Sequence, residues 1–242
     1  MLIRSRAIAL GTIRYGDDKL ICRMLTNNEG CVSFIVRRGR TISSRHRLLS
    51  PLALLEVEWN KTARGGLAIP KQLCAPEPYT SIPYDPQKTS VALFLCEFLD
   101  AALRHEPPAS RLFAFVEQAL RLYDHKDEGH ANFHLVFLLQ FATFLGLQPD
   151  FSTYRRGCYF DLRDGCFTSI PPAHGDFILP DEAAVLPVLM RMNFANMHHF
   201  RLNGAERSRL LAHLVNYYRL HTPSFPELKS LDVLREVWGK SQ

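Results

Sequence analysis

The chain has 242 residues, 47% hydrophobic and 22% charged, with a formal net charge of +5. That length allows one large domain or two ordinary ones, and the composition excludes a disordered or fibrous chain. The longest apolar stretch, residues 133–145, is interrupted by Gln140 and Thr143 and falls short of the roughly 20 residues a membrane-spanning helix needs. The opening MLIRSRAIALGTIRYGDDK carries arginines within its apolar part and lacks the apolar run and cleavage site of a secretory signal, so a cytoplasmic protein is expected. Cys22, Cys31, Cys74, Cys96, Cys158 and Cys166 lie far apart without a C-x-x-C pair, which suits reduced, mostly buried thiols. The sequon at Asn60-Lys61-Thr62 is then a coincidence. Charge is unevenly spread: residues 1–80 hold 13 Lys and Arg against 6 Asp and Glu, and the remainder 16 against 18. A polyanionic partner is expected at the N-terminal end, nucleic acid or acidic protein.

Residues 1–75 read as a β-meander. Residues 3–15 are rich in Ile, Leu and Thr, Gly16-Asp17-Asp18 supplies a turn, residues 19–26 alternate, and Asn27-Asn28-Glu29-Gly30 turns again. Further strands follow over 31–37, 52–59 and 67–72, the last two separated by the turn-like Ala63-Arg64-Gly65-Gly66. Five short strands with one long loop between the third and fourth fit a small closed barrel of the OB type, although an SH3-like barrel would give the same count. Pro76, Pro78, Pro83 and Pro86 then break regular structure, so a Pro-rich linker is expected over 76–88. Beyond it the period changes to that of a helix: Val91, Phe94, Leu95, Phe98, Leu99 and Ala102 share one face, and Pro107-Pro108 stops the run. A second helix is expected from Ser110 to about Tyr123. A third, over 132–145, is apolar on nearly every side and should be the buried centre of a bundle ending at Gly146. Residues 147–180, with Gly157, Gly165, Pro171, Pro172 and Gly175, read as an irregular insertion or hairpin. Helical pattern returns at Asp181, with Pro187 as a kink or early end, and again after Asn203, where Glu206 completes a capping box. A last helix over 227–238 aligns Leu228, Leu231, Leu234 and Trp238. The fold class is read as α+β in several parts: over 1–75 a small barrel, an OB-fold or by strand count equally an SH3-like one, then an α-helical domain over 89–242 carrying the 147–180 insertion.

Catalytic signatures are missing. The chain has no G-x-S-x-G, G-x-G-x-x-G or H-E-x-x-H, and Gly239-Lys240-Ser241 lacks the rest of a P-loop. His130 and His134 have the i, i+4 spacing of metal ligands without a third partner, and the adjacent His198 and His199 diverge on a helix. Cys158 and Cys166 are followed only by His174, too few ligands for structural zinc. Neither an enzyme nor a metal or other cofactor is expected. The informative segment is Arg37-Arg38-Gly39-Arg40-Thr41-Ile42-Ser43-Ser44-Arg45-His46-Arg47, which puts five guanidinium groups into the long loop. Guanidinium binds phosphate bidentately and keeps its charge, and OB barrels combine such loops with a stacking surface to hold single strands. Phe34 and Trp59 fall on the apolar side of their strands and read as core. Tyr15, beside a turn, is the stacking candidate, and Arg14 and Lys19 flank it.

These residues resemble the RecO recombination mediators. Ile8-Ala9-Leu10, Arg14-Tyr15-Gly16-Asp17-Asp18-Lys19-Leu20 and Thr26-Asn27-Asn28-Glu29-Gly30 are similar in order to that family's first strands and turns, and the basic run matches its basic loop. Leu145-Gly146-Leu147-Gln148-Pro149 and Leu228-Lys229-Ser230-Leu231 resemble the ends of its central and C-terminal helices. The resemblance implies a bacterial, nucleoid-associated protein without turnover. It would bind single- and double-stranded DNA, anneal single strands, and act with RecR and the single-stranded-DNA-binding protein to load RecA. Many members carry a cysteine quartet for zinc where this chain has residues 147–180, and this chain lacks it, so a metal-free hairpin is expected there. The resemblance also suggests a seat for the acidic C-terminal tail of the single-stranded-DNA-binding protein, expected at Arg201, Arg207 and Arg209 beside Leu210 and Leu214. The competing reading is an adaptor whose basic loop holds an acidic peptide. A nuclease or other hydrolase would need a carboxylate or histidine cluster that the sequence does not show.

Overall fold

The structure, a computed structural model, describes residues 1–37, 48–61 and 66–239, with Trp238 and Gly239 as backbone only. Five strands make the N-terminal sheet: β1 (Leu2–Tyr15), β2 (Lys19–Thr26), β3 (Gly30–Arg37), β4 (Leu54–Asn60) and β5 (Pro70–Cys74). All neighbouring pairs are antiparallel, in the order β3-β2-β1-β4-β5. β1 serves two partners, pairing through Leu2–Ile8 with β4 and from Ala7 onward with β2. The register shifts between Ala9 and Gly11, a bulge that bends the long strand from one half of the sheet to the other. Alternation then points Ala7, Cys22, Met24, Phe34, Leu55, Val57 and Trp59 into one core. Phe34 and Trp59 meet edge to face there, with centroids 5.1 Å apart, as their place in the alternation predicts.

The sheet departs from the closed barrel expected. Among the described residues its edges meet at a single parallel bridge, where Ile35 N–H donates to Ala68 O at 2.8 Å and Ala68 N–H to Ser33 O at 2.9 Å. The named strands are OB-like in order without forming a continuous ladder around the core. Pro70 at the start of β5 explains part of this, since it has no N–H to offer and belongs on an edge.

By contacts the chain forms two compact units. The first takes in Met1–His125 and Leu228–Trp238, and the second is built on Lys126–Glu227. Helices α1 (Pro86–Ala102) and α2 (Ser110–His125) belong with the sheet. Pro86, read as a breaker, is instead the first helical residue of α1, where its missing N–H costs nothing, and Asp85 caps the amides of Gln87 and Lys88 at 2.8 and 3.1 Å. Polar ties that no periodicity reveals fix both helices. The Cys96 thiol donates to Leu10 O at 2.7 Å, and Arg6 of β1 pairs with the buried Glu117 at 2.5 Å while lying over the Phe113 ring. Asp124, almost fully buried, accepts from the backbone amides of Thr80, Ser81 and Ile82 at 2.8 to 2.9 Å. Lys88, 1% exposed, donates to Ser81 Oγ at 2.6 Å and Asp124 O at 3.1 Å. The last helix of the chain, α7 (Ser230–Gly239), returns to this unit, its first amides held by the Glu97 carboxylate at 3.1 Å (Lys229) and 2.8 Å (Ser230).

In the second unit α3 (Phe133–Phe144) is the buried helix the sequence predicts, with Phe133, Phe137 and Phe141 all inaccessible to solvent. The segment read as an irregular insertion or hairpin contains a hairpin, β6 (Tyr159–Asp161) and β7 (Cys166–Thr168), which β8 (Phe177–Ile178) extends to a three-stranded sheet in the order β7-β6-β8. Phe151 stacks on Phe160 at 5.6 Å, and both Phe160 and Tyr154 meet Phe167 edge-on at 5.0 Å. Rings fill the interior of this sheet, and His174 is engaged by Asp161 at 3.2 Å, so the donor set does not fit a zinc quartet. Gly165 turns the β6–β7 hairpin with φ +65°, and a Cβ there would lie 2.8 Å from the Tyr217 hydroxyl. Two one-turn helices, α4 (Pro180–Ala183) and α5 (Leu186–Leu189), flank Val185, and Pro187 starts the second rather than kinking a longer one. Helix α6 (Gly204–His221) opens with the predicted capping box: Asn203 Oδ1 accepts from Glu206 N at 2.9 Å, and Glu206 Oε2 from Asn203 N at 2.8 Å.

Candidate nucleic-acid interface

The outer face of the N-terminal sheet carries a cross-strand row. Tyr15 of β1 lies opposite Lys19 of β2, and Lys19 opposite Arg37 of β3. Two residues inward along each strand, Ile13, Ile21 and Ile35 form a second row on the same face. Three of the residues singled out in the sequence are therefore brought together by register alone. Tyr15 is 49% exposed, as a stacking residue needs to be. Arg14 is not part of the row, because it is paired with Leu20 and so lies on the other parity of the strand. Arg38, Arg40, Arg45, His46 and Arg47 fall in 38–47, outside the described residues.

Lys19 and Arg37 also line a groove of about 430 Å³ whose far wall is β5 and the residues before it. The walls contribute a third cation, Lys71, and an apolar floor of Ile35, Leu48, Leu49, Ile69 and Leu73, without a carboxylate among the lining residues. Among the described residues the edges of the sheet meet at one bridge, Phe34 to Ala68, and the next residues, Ile35 and Ile69, line the groove. Arg37 and Leu48, the described residues on either side of the basic run, both line it. Sequence reading missed Lys71 and Ile69. The signal was present in Ile69-Pro70-Lys71, where an exposed apolar residue and a cation bracket a proline on an edge strand.

The five residues expected to seat an acidic tail separate onto two faces of the second unit. Arg201 and Arg207 border a cleft with Asn132, Met197, His198 and Phe200. The Arg207 guanidinium is turned inward onto Leu202 O, and burial lowers its pKa despite the adjacent Glu206. Leu210 and Leu214 instead line a small apolar hollow with Leu139, Phe151 and Tyr217. Arg209 is bound to Glu182 at 3.3 Å. Asn132 anchors the cleft by donating to Met197 O at 3.0 Å and Phe200 O at 2.7 Å. Of the other candidates, His134 is buried on α3, its pKa lowered to about 3 by loss of solvent and then by Arg207. The rings of His198 and His199 are tilted against each other with centres 3.9 Å apart. Among the described residues no group of three or more His, Cys, Asp or Glu is placed to hold a metal ion.

An OB-like sheet whose open seam carries cations over an apolar floor defines a binding module. The comparisons with known proteins agree with that class and narrow it. A family model described as Recombination protein O N terminal matches residues 1–74, and one described as Recombination protein O C terminal matches 83–232. The chain is 43% identical to the DNA repair protein RecO of Phocaeicola vulgatus, over 99% of this chain and all of that one. It is 44% identical to that of Bacteroides fragilis and 38% to that of Porphyromonas gingivalis, over 98% of this chain in each case and the whole of theirs. The chain belongs to the RecO family of DNA repair proteins.

Proposed function

We propose that the protein is a recombination mediator that binds and anneals single-stranded DNA and, with RecR, helps load RecA onto strands coated by the single-stranded-DNA-binding protein. It does so without catalytic turnover, in the cytoplasm at the nucleoid, and it also takes double-stranded DNA. The observation that carries this reading is the acid-free groove of Lys19, Arg37 and Lys71, from whose lining residue Arg37 the basic run 38–47 continues. Polyanion binding there releases condensed counterions, and repeated phosphates reward several cations at once. No helix of the described residues is long and apolar enough to cross a membrane, in keeping with that location.

The acidic tail of the single-stranded-DNA-binding protein finds a cation at Arg201, beside the cleft that Arg207 also borders. The apolar hollow under Leu210 and Leu214 is a separate feature. A labelled tail peptide titrated against Arg201→Ala should bind more weakly than to wild type, and Arg209→Ala, whose guanidinium is already paired, should change little.

The deciding experiment for the DNA reading is a binding isotherm for single-stranded DNA at several salt concentrations. If about five phosphates are neutralised, log affinity against log salt should slope near −3.5, at about 0.7 per phosphate. Affinity should also grow with strand length. A slope near zero, or equal affinity for an acidic peptide and a long oligonucleotide, would replace this reading with that of a peptide adaptor.

A further inference from the structure

The groove contains more than phosphate binding requires. A track for phosphates alone needs cations on a polar surface, yet here the floor is aliphatic and Ile69 is left 70% exposed. Lys19 and Lys71 come from β2 and β5, and Ile35 and Ile69 line the same groove, so cations and apolar surface are offered side by side.

We propose that this trough seats one unpaired nucleobase of a single strand, its face against Ile69, Ile35 and Leu73, while Lys19, Arg37 and Lys71 take the flanking phosphates. The inference rests on the DNA reading above and names the part of the strand that the site selects. The occupant follows from charge and shape together. Three cations and no carboxylate call for a polyanion, and an apolar floor without donors or acceptors suits the face of a base rather than its edge. In a duplex the base faces are covered by their neighbours, so only an unpaired base can fill the floor. The lining has no aromatic ring, so all four bases are held by area alone, without hydrogen-bond readout. That is the property a mediator working on any sequence requires.

The test compares a labelled single strand with an abasic strand of the same length, which keeps every phosphate and loses the bases. Wild type should bind the ordinary strand roughly fivefold tighter, the factor expected from burying part of one apolar side chain. Ile69→Ala should lose that margin and bind the abasic strand as wild type does, with an unchanged salt slope and, because Ile69 is exposed, unchanged thermal stability. Lys71→Gln should weaken both strands equally and make the slope shallower by about 0.7. The base seat is overturned if wild type binds both strands equally, or if Ile69→Ala keeps the full margin, and in either case the DNA reading stands. If wild type binds neither strand, the DNA reading itself falls.

Discussion

The two compact units solve the same problem with different chemistry. The first docks helices onto a sheet through buried charged and polar groups: Glu117 on Arg6, Asp124 on three amides, and Lys88 on Ser81 and the Asp124 carbonyl. The second is held mainly by rings, with Phe133, Phe137, Phe141 and Tyr218 in succession at 5.7 to 6.4 Å and a second ring cluster inside its small sheet. Hydrogen bonds to charged groups are directional and fix one geometry, whereas ring packing is stronger per residue and more tolerant of position. The unit bearing the candidate DNA groove is thus the one whose parts are locked in register. A groove lined from β2, β3 and β5 needs that, because a shift of any of them would change its lining.

The contrast is sharpest where one side chain is removed from each kind of core. Phe137→Ala should cost the second unit about 3–5 kcal/mol, seen as faster amide exchange in α3 and α6, with the first unit unchanged. Exchange rising equally in both units would show that the two share one cooperative core. In the first unit, Asp124→Asn should cost about 3 kcal/mol, since one acceptor oxygen is exchanged for a donor facing amides. The readout is exchange at residues 80–82 and in α1.

Acid separates the units in a direction that the contrast in packing alone would not suggest. Burial and then Arg207 hold the folded-state pKa of His134 near 3, so the unfolded chain takes up a proton first, and stability present above about pH 6.5 is lost as pH falls toward 3. Between pH 6.5 and 5 that amounts to about 2 kcal/mol for the second unit. Burial would raise the Asp124 pKa, but the amides of Thr80, Ile82 and Ser81 and the Thr80 hydroxyl outweigh it and hold the carboxyl below its usual value. Its contribution is therefore present above about pH 3.9 and is lost only below it. Exchange measured at pH 7 and pH 5 should show the second unit loosening first, and His134→Leu should remove most of the difference. The smallest expected effect is at the cap of α6: Asn203→Ala should cost about 1 kcal/mol, confined to the first turn of that helix.

Local rules in the sequence reach far into this fold. The alternation that predicts Phe34 and Trp59 as core, the all-round apolarity of α3 and the Asn203–Glu206 box are each decided within a few residues, and each is found as expected. What periodicity cannot show is where a helix docks. Nothing in the spacing of α1 or α2 says that Cys96 will meet Leu10 O or that Glu117 will meet Arg6, so both helices read as parts of a separate bundle. β8 was hidden because a strand of two residues has no period. At the candidate site, register fixes Tyr15, Lys19 and Arg37 and could be counted from the turns. Lys71 joins them only because the sheet closes at one bridge, which depends on the whole curvature. The arginines of α6 looked like one patch in sequence, but a helix turns about 100° per residue and spreads them around its axis.

The contact between Glu97 and the start of α7 makes the second unit an insertion within the first. Glu97 is synthesised before any of the second unit, and Lys229 and Ser230 only after all of it, more than 130 residues later. Until then α1 lacks this neighbour, and the apolar cleft bordered by Ile13, Leu93 and Val233 lacks the wall that Val233 provides. A ten-residue helix does not hold its shape unaided, so α7 forms as it docks. A chain interrupted anywhere in the second unit would lack Leu228 and Leu234, both buried in the finished fold. The first unit is therefore complete only when the last helix of the chain has been made.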